Sequence, residues 1–440
     1  MERRLSWLDR LFAFHRYGTS VGREVVAGLT TFTTMSYIVV VNPAILSAAG
    51  IPERPSFVAT AVVAAIGCYL MAFYANRPFA IAPYMGENAF IAYTVCKMLG
   101  IPWQTALAAI FLAGVLFVLL TLLHLRRWIV EGVPTSLRYS FAVGMGLFLT
   151  FIGLNETGLV RLGVPGAPVQ PGHLTSAPTL VAIFGFVLLA ILIIRKVPGA
   201  ILLGILITAI VAHLAKVSAA PLHLVSLPPS LMPLLGHLDL RGALTWRAFP
   251  VVLTIFVMAF VDTMGTLIGL SARAGFLDQD GHLPQIERPM LVDAICTCLA
   301  PVLGTTTSGA FLESATGIEA GGRTGLTAFV TGSCFLLTLF FAPLVAAIPA
   351  IAYGPALIIV GLFMLAPIVH IDFTDYTESI PAFAVVTLMA FTFNIAIGIC
   401  AGFVLYPVCK LVSGKAAQLR PGLWVLTALS LLFFIFYPYQ

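Results

Sequence analysis

Apolar runs of about twenty residues, each closed by glycine, proline or charge, recur from Val25 to the C-terminus. A helix of that length crosses the hydrocarbon of a bilayer, and a chain that repeats it so often has little else to fold into. Only 9% of the residues are charged, against about 25% in a soluble domain, so polar surface is too scarce to clothe a water-soluble globule. These features point to one all-α polytopic membrane protein set in the lipid bilayer, not to soluble modules on linkers. The opening "MERRLSWLDRLFAFHRYGTSVGRE" carries charge throughout and has no apolar core ahead of a small-residue cleavage site. It reads as a short amphipathic cytoplasmic lead, not a cleavable signal. With that end inside, every one of the 23 Lys and Arg except Arg54, Lys97, Arg161, Lys216, Arg241 and Arg247 falls on the inner side. The positive-inside rule asks for this bias in a multi-pass protein of the plasma, or inner, membrane. The net charge of +5 is thereby accounted for by topology, and no basic cluster with interleaved aromatics is left to bind nucleic acid.

The runs give candidate spans at 25–46, 57–75, 84–97, 105–124, 134–153, 178–195 and 200–215. After a proline-rich loop placed outside, a second series follows at 250–271, 289–303, 310–320, 324–348, 353–370, 379–394 and 396–412. The chain then divides into a lead (1–24), a first seven-segment repeat (25–215), a linking loop (216–249), a second repeat (250–412) and a C-terminal apolar extension (413–440). The last run of that extension, "GLWVLTALSLLFFIFYPY", spans the membrane or lies in its interface. Seven is odd, so the second series enters from the opposite face. The expected fold has fourteen transmembrane segments as two inverted repeats. The third member of each series departs from the rest in the same way. "PFAIAPYMGENAFIAYTV" (Pro78–Val95) and "TTTSGAFLESATGIEAG" (Thr305–Gly321) each set a Pro/Gly or Thr/Ser/Gly stretch before a short helical run. Extended backbone at membrane depth survives only where protein buries it or where it lines a cavity. Half-helices at segments 3 and 10 therefore mark a midplane binding site.

Five carboxylates, Glu87, Asp262, Asp293, Glu313 and Glu319, fall in or at the edge of these spans. A carboxylate at the bilayer centre costs roughly 2.5–3.5 kcal/mol, so each needs a partner, a cavity or a proton. Asp262 stands alone in "VVLTIFVMAFVDTMGTLIGL", about twelve residues from either end of its span, which favours a functional role over a packing hydrogen bond. Glu313 follows the interrupted backbone at the start of a short helix, whose positive end favours its charge; the plainer reading is a helix cap. Glu87 takes the corresponding place in the first half, for substrate contact or for pairing within the scaffold. Glu319, close to Arg323, and Asp293, five residues after Arg288, read as members of structural ion pairs. Acids of this kind that bind proton and cargo together suffice for proton-coupled uptake without metal or cofactor. The aromatic rings Phe79, Tyr84, Phe90 and Phe311 beside the interruptions suit a planar ligand, although most of the chain's phenylalanines face lipid or core.

Other chemistries find little support. The seven cysteines sit almost entirely in apolar runs as packing residues, and Cys296 and Cys298 make a C-x-C spacing foreign to zinc sites. The histidines His15, His124, His223, His237, His282 and His370 lie at or near loops with none paired at ligand spacing. No H-E-x-x-H, G-x-S-x-G or nucleophile-and-base pair argues for an enzyme.

Four stretches in order, "GREVVAGLTTFTTMSYIVVVNPAIL" (Gly22–Leu46), "APYMGENAFIAYTV" (Ala82–Val95), "DTMGTLIG" (Asp262–Gly269) and "ESATGIEAGGRTGLTA" (Glu313–Ala328), resemble the nucleobase/ascorbate transporter family, and most closely its azaguanine-resistance (AzgA-like) branch of purine permeases. The resemblance runs nearly the full length. It implies a core domain of segments 1–4 and 8–11 and a gate domain of segments 5–7 and 12–14, with the core carrying substrate in an elevator-like step. It also implies proton symport of adenine, guanine or hypoxanthine, and often a homodimer. The substrate-binding and proton-coupling carboxylates map onto Asp262 of "DTMGT" and Glu313 of "ESATG". The branch commonly sets a second acid about three residues before the segment 8 motif, where this chain has Ala259 or Met258. A purine is flat, apolar on its faces and polar at its edge, so its slot needs aromatic walls and a few fixed donors and acceptors. Asp262 and Glu313 would accept its N–H groups, the backbone near Tyr84, Phe311 and Leu312 would donate, and Gly86 and Gly309 would let the backbone close on the ring. A same-fold carrier of xanthine, uracil, ascorbate or an anion is the nearest rival, and an ion channel a more distant one. An anion carrier would set cations, not acids, at the half-helices.

Overall fold

The computed structural model, which describes residues 7–123, 133–164, 167–219, 223–246, 248–277 and 283–436, turns the apolar runs into helix. Arg3, Arg4, Arg126, Arg127 and Arg247 of the charge pattern, with His124 and His282, lie outside the described residues. Among the described residues nine helices are long and apolar enough to cross a membrane by length and composition, so the chain is a mostly helical polytopic membrane protein.

The first series opens with α1 (Val21–Met35) and α2 (Ile38–Ser47), then α3 (Glu53–Leu70). Next come a three-residue strand β1 (Ile81–Pro83) and a short helix α4 (Met85–Ala89) that continues as π-helix over Phe90–Met98. It closes with α5 (Trp103–Leu122), α6 (Thr135–Glu156), a β-hairpin of β2 (Val160–Val164) and β3 (Ala167–Pro171), α7 (Ala177–Ile194) and α8 (Ala200–Leu214). The second series runs α9 (Phe249–Ala274), α10 (Glu287–Leu303), strand β4 (Ser308–Ala310), α11 (Ser314–Glu319), α12 (Gly325–Thr338), α13 (Ala350–Leu365), α14 (Tyr376–Phe391) and α15 (Ile395–Val412). A last apolar helix α16 (Pro421–Phe436) lies against α15. Each series thus interrupts its helices once with a strand and a short helix, at the place where the sequence turns polar.

Those two strands find each other. β1 pairs antiparallel with β4, Ile81 opposite Ala310, Ala82 opposite Gly309 and Pro83 opposite Ser308. Tyr84 N–H donates to the Thr307 carbonyl at 3.0 Å and Phe311 N–H to the Ala80 carbonyl at 2.9 Å. Backbone that would otherwise be unpaired among apolar helices is satisfied by its counterpart in the other half. Gly304 ends α10 at φ +90, a left-handed conformation that lets the chain turn sharply into the strand.

The helices pack in two groups. In one, α12 lies on α1 and α3, α10 on α3 and α5, α9 on α5, and α2 on α3, with the strands between them. In the other, α13 lies on α6, α7 and α8, and α14 on α6 and α15. Buried charge pins each group. In the first, Glu24 of α1, wholly buried, accepts from the backbone N–H of Arg323 at 2.9 Å and of Thr324 at 3.2 Å and from the Thr327 hydroxyl at 2.6 Å, which holds the start of α12. In the second, Lys410 of α15, 1% exposed, meets Glu378 of α14 at 2.6 Å and the Thr377 hydroxyl at 2.8 Å. Tyr406 and Ser136 also donate to Glu378. At the adjoining end, outside the membrane, the Lys415 ammonium and the Thr377 hydroxyl hold the Asp375 carboxyl well below the usual carboxylate range.

Candidate functional site

The paired strands bring the two polar interruptions together, and most of the acids singled out above gather around them. Asp262 lies in the middle of α9, half-buried, and Gly265 and Gly269 follow it along one face of that helix. Both glycines are exposed, and nothing lies within 4 Å of where their side chains would begin. On the N-terminal side of Asp262, by contrast, residues 254–260 are all buried. The face bearing Asp262 is therefore open toward the Gly275 end of α9 and closed toward its start.

Around Asp262 stand Tyr84 and Glu87 from the first interruption. Glu87 is 1% exposed and feels the charge of Asp262 and of Asp293. Among the described residues both its oxygens and the Tyr84 hydroxyl make no well-formed hydrogen bond, and the Thr307 hydroxyl is the donor close enough to act on Glu87. Buried polar atoms left this way in a folded chain are rare enough to need an explanation. Tyr84 and Phe311, one from each interruption, are buried with ring planes 11° apart and centroids 6.3 Å apart, a flat apolar surface next to the acids.

Glu313 lies just before α11, and its side chain does not cap that helix; the Tyr37 hydroxyl donates to its Oε1 at 2.7 Å instead. Leu312 beside it is 59% exposed. Gly309 is a point of close approach: a Cβ there would lie 2.2 Å from the Tyr84 hydroxyl and 2.3 Å from Asp293 Oδ1. Gly86 meets Met145 of α6 in the same sense, at 3.0 Å from Sδ. Both glycines make room for neighbouring side chains. Phe79 and Phe90 are wholly buried, Phe79 against Phe276.

The two acids read as structural find their partners across the fold. Asp293, expected to serve structure near Arg288, acts as a brace. Its Oδ1 accepts the Ala310 N–H at 2.7 Å and its Oδ2 the Thr263 hydroxyl, so it ties β4 to the turn of α9 that carries Asp262. Glu319 does form an ion pair, at 2.6 Å, but with Arg273 of α9, while the Arg323 guanidinium donates to the Ile318 and Gly322 carbonyls. Sequence reasoning missed Tyr37 and Thr307 altogether. It also missed the Asn42, Thr60, Asn88, Thr305 and Thr306 network that joins α2, α3 and α4 to the stretch before β4. The clustering of Thr and Asn in otherwise apolar runs was the available signal. The cysteines are free, and among the described residues no group of His, Cys, Asp and Glu is placed to hold a metal ion.

Two half-helices meeting through antiparallel strands, with acids and a flat aromatic surface at the junction, define a polytopic membrane transporter. The chain belongs to the nucleobase/ascorbate transporter family, since the family model described as Permease family (Xan_ur_permease) matches residues 22–410. It is 42% identical over 435 residues to the putative permease MJ0326 of Methanocaldococcus jannaschii, covering 99% of both chains. It is 38% identical to the adenine permease AdeP of Escherichia coli (98% of this chain, 96% of the relative). To the guanine/hypoxanthine permease PbuG of Bacillus subtilis it is 37% identical (98% and 100%). Among solved structures, the transmembrane domain of a cyanobacterial bicarbonate transporter, BicA, shares the fold with a TM-score of 0.64 at 15% identity, over 87% of this chain and 97% of that one.

Proposed function

We propose that this protein carries a purine nucleobase (adenine, guanine or hypoxanthine) into the cell together with a proton. The helix group built on α9, α10 and the paired strands would move as a core against the group built on α6, α13 and α14. The relatives named adenine permease and guanine/hypoxanthine permease support the cargo class. One observation within the chain carries the reading: the lining of the open site is acceptor-rich, with Asp262 and Glu313 beside the Tyr84–Phe311 surface. A purine offers several N–H donors at its edge and apolar faces above and below, which complements that lining. A bicarbonate-like anion would meet repulsion there, so the fold shared with BicA does not extend to its cargo. Fourteen crossings in two inverted repeats, pairing of two copies, and a cytoplasmic N-terminus in the inner membrane complete the proposal.

The test is uptake of radiolabelled adenine, guanine and hypoxanthine into proteoliposomes with an imposed pH gradient. Wild-type protein should accumulate at least one of them, inward with the proton. Asp262→Asn keeps the size of the side chain and removes its charge. A hydrogen bond to a charged acceptor contributes about 1.5–3 kcal/mol, so the variant should bind and carry purine at least about tenfold less well. Uptake indifferent to the gradient would reduce the protein to a facilitator, and an undiminished Asp262→Asn would remove its assigned role.

A further inference from the structure

We infer that Glu87 is the residue that holds the transported proton, and that Asp262 beside it receives the base. The inference rests on the proton-coupled reading above and assigns its two tasks to different side chains. Glu87 lies where α4, α9 and the stretch before β4 converge, 1% exposed, with the neutral Thr307 hydroxyl as its close donor and, among the described residues, no well-formed hydrogen bond to either oxygen. The charged groups that act on it are Asp262 from α9 and Asp293 from α10, both acids. Among the described residues the other elements packed on α4 bring no counter-charge to it, and Lys97 at the far end of the π-helical continuation lies over the Tyr93 ring. α2 carries no ionisable side chain. α6 turns Met145 to Gly86, while its Arg138 donates to the Val133 carbonyl and its Glu156 accepts from Tyr93. Tyr84, the titratable neighbour on the same stretch, is buried with its hydroxyl unpaired.

A buried carboxylate with one neutral hydroxyl beside it and no cation to offset its charge is strongly disfavoured, and a second carboxylate beside it makes full ionisation of the pair worse. One proton shared by Glu87 and Asp262 removes both penalties, and the pair then titrates as a unit. The geometry says where that proton rests. Asp262 is the more exposed of the two, on the open face, and ionises at lower cost. Glu87, wholly buried, is the side chain that gains most from being neutral, and once protonated its O–H is a donor to set against Asp262 or the Thr307 hydroxyl. The ionised Asp262 is then free to accept the N–H groups of a neutral base. Glu313 is differently placed: the Tyr37 hydroxyl already satisfies one of its oxygens, so it orients cargo without needing a proton.

Glutamine imitates a glutamic acid that never releases its proton, so Glu87→Gln should uncouple the carrier while leaving the base-binding face intact. In proteoliposomes with equal pH on both sides, exchange of labelled for unlabelled purine by the variant should stay near wild type. Under an imposed gradient of one pH unit the wild type should concentrate purine about tenfold for one proton carried, because one unit corresponds to a factor of ten; the variant should only equalise it. A variant that still concentrates purine overturns the inference. So does a variant that melts like wild type yet has lost exchange, because a permanently neutral side chain would then not be a competent state. Should Glu87→Gln fail to fold, Glu87→Asp decides: withdrawing the carboxyl by one methylene must move the pH at which accumulation is half-maximal, and an unmoved profile overturns the inference. A wild-type protein that exchanges no purine at all fails the transport reading itself, whereas a driven wild type with a driven glutamine variant fails this inference alone.

Discussion

Asp262 and Asp293 both sit among apolar helices, yet their surroundings give them opposite work. Asp262 is half-buried on the helix face where Gly265 and Gly269 are open, whereas Asp293 is wholly buried and accepts hydrogen bonds from Ala310 and Thr263. Asp293→Ala would leave the buried Ala310 N–H without an acceptor, at about 1–3 kcal/mol, while the Thr263 hydroxyl keeps the Ala259 carbonyl. It should lower the unfolding temperature in detergent clearly, while Asp262→Asn should melt like wild type and lose transport. Equal melting of the two variants would mean that Asp293 braces nothing. The sequence located these acids because a carboxylate among apolar residues is costly wherever it stands. Their partners were not legible: Asp293 is 30 residues from Thr263, and Glu313 is 276 from Tyr37. No local spacing encodes a contact made through tertiary packing.

At the scale of elements, the two interrupted segments stood out in the sequence because their Pro, Gly, Thr and Ser stretches break the apolar pattern. Their antiparallel pairing, Ile81 opposite Ala310, follows from the need to satisfy backbone groups away from water. What the pattern hid was charge at the other group's core. Lys410 counts in the sequence as one more cation near a helix end, yet it is 1% exposed and paired with Glu378. Glu24, likewise read as part of the polar lead, is wholly buried at the start of α12. In each case one or two helical turns of depth decide between solvent and core, and hydropathy windows blur that distance. Removing one partner of a buried ion pair leaves the other uncompensated, at about 3–5 kcal/mol. Lys410→Met should therefore destabilise the protein by about 3 kcal/mol, the lower end because Glu378 is 22% exposed. Adding Glu378→Gln should restore much of that. Unfolding of the single and double variants measures both effects, and a single variant as stable as wild type would show that the pair does not hold α14 to α15.

For the whole molecule, the decisive feature is the asymmetry along α9, buried over residues 254–260 and open from Asp262 past Gly269. The Arg273–Glu319 ion pair stands at the open end, and its side chains are 61% and 63% exposed. Under the proposed topology that end faces the cytoplasm, so this conformation is the one that exchanges cargo with the cell interior. A carrier with alternating access must also visit a state open to the other side, reached when the two helix groups shift against each other. Gly269 is suited to report this, because its backbone is helical and a Cβ there meets nothing within 4 Å. In a background with the seven native cysteines replaced, Gly269→Cys should react with a membrane-impermeant maleimide in inside-out vesicles and far less in right-side-out ones. Purine should slow the reaction of Gly265→Cys, one turn from Asp262, more than that of Gly269→Cys. Labelling that is equal from both sides would place this face in a continuous pore, and labelling only from the outside would invert the orientation on which inward transport depends.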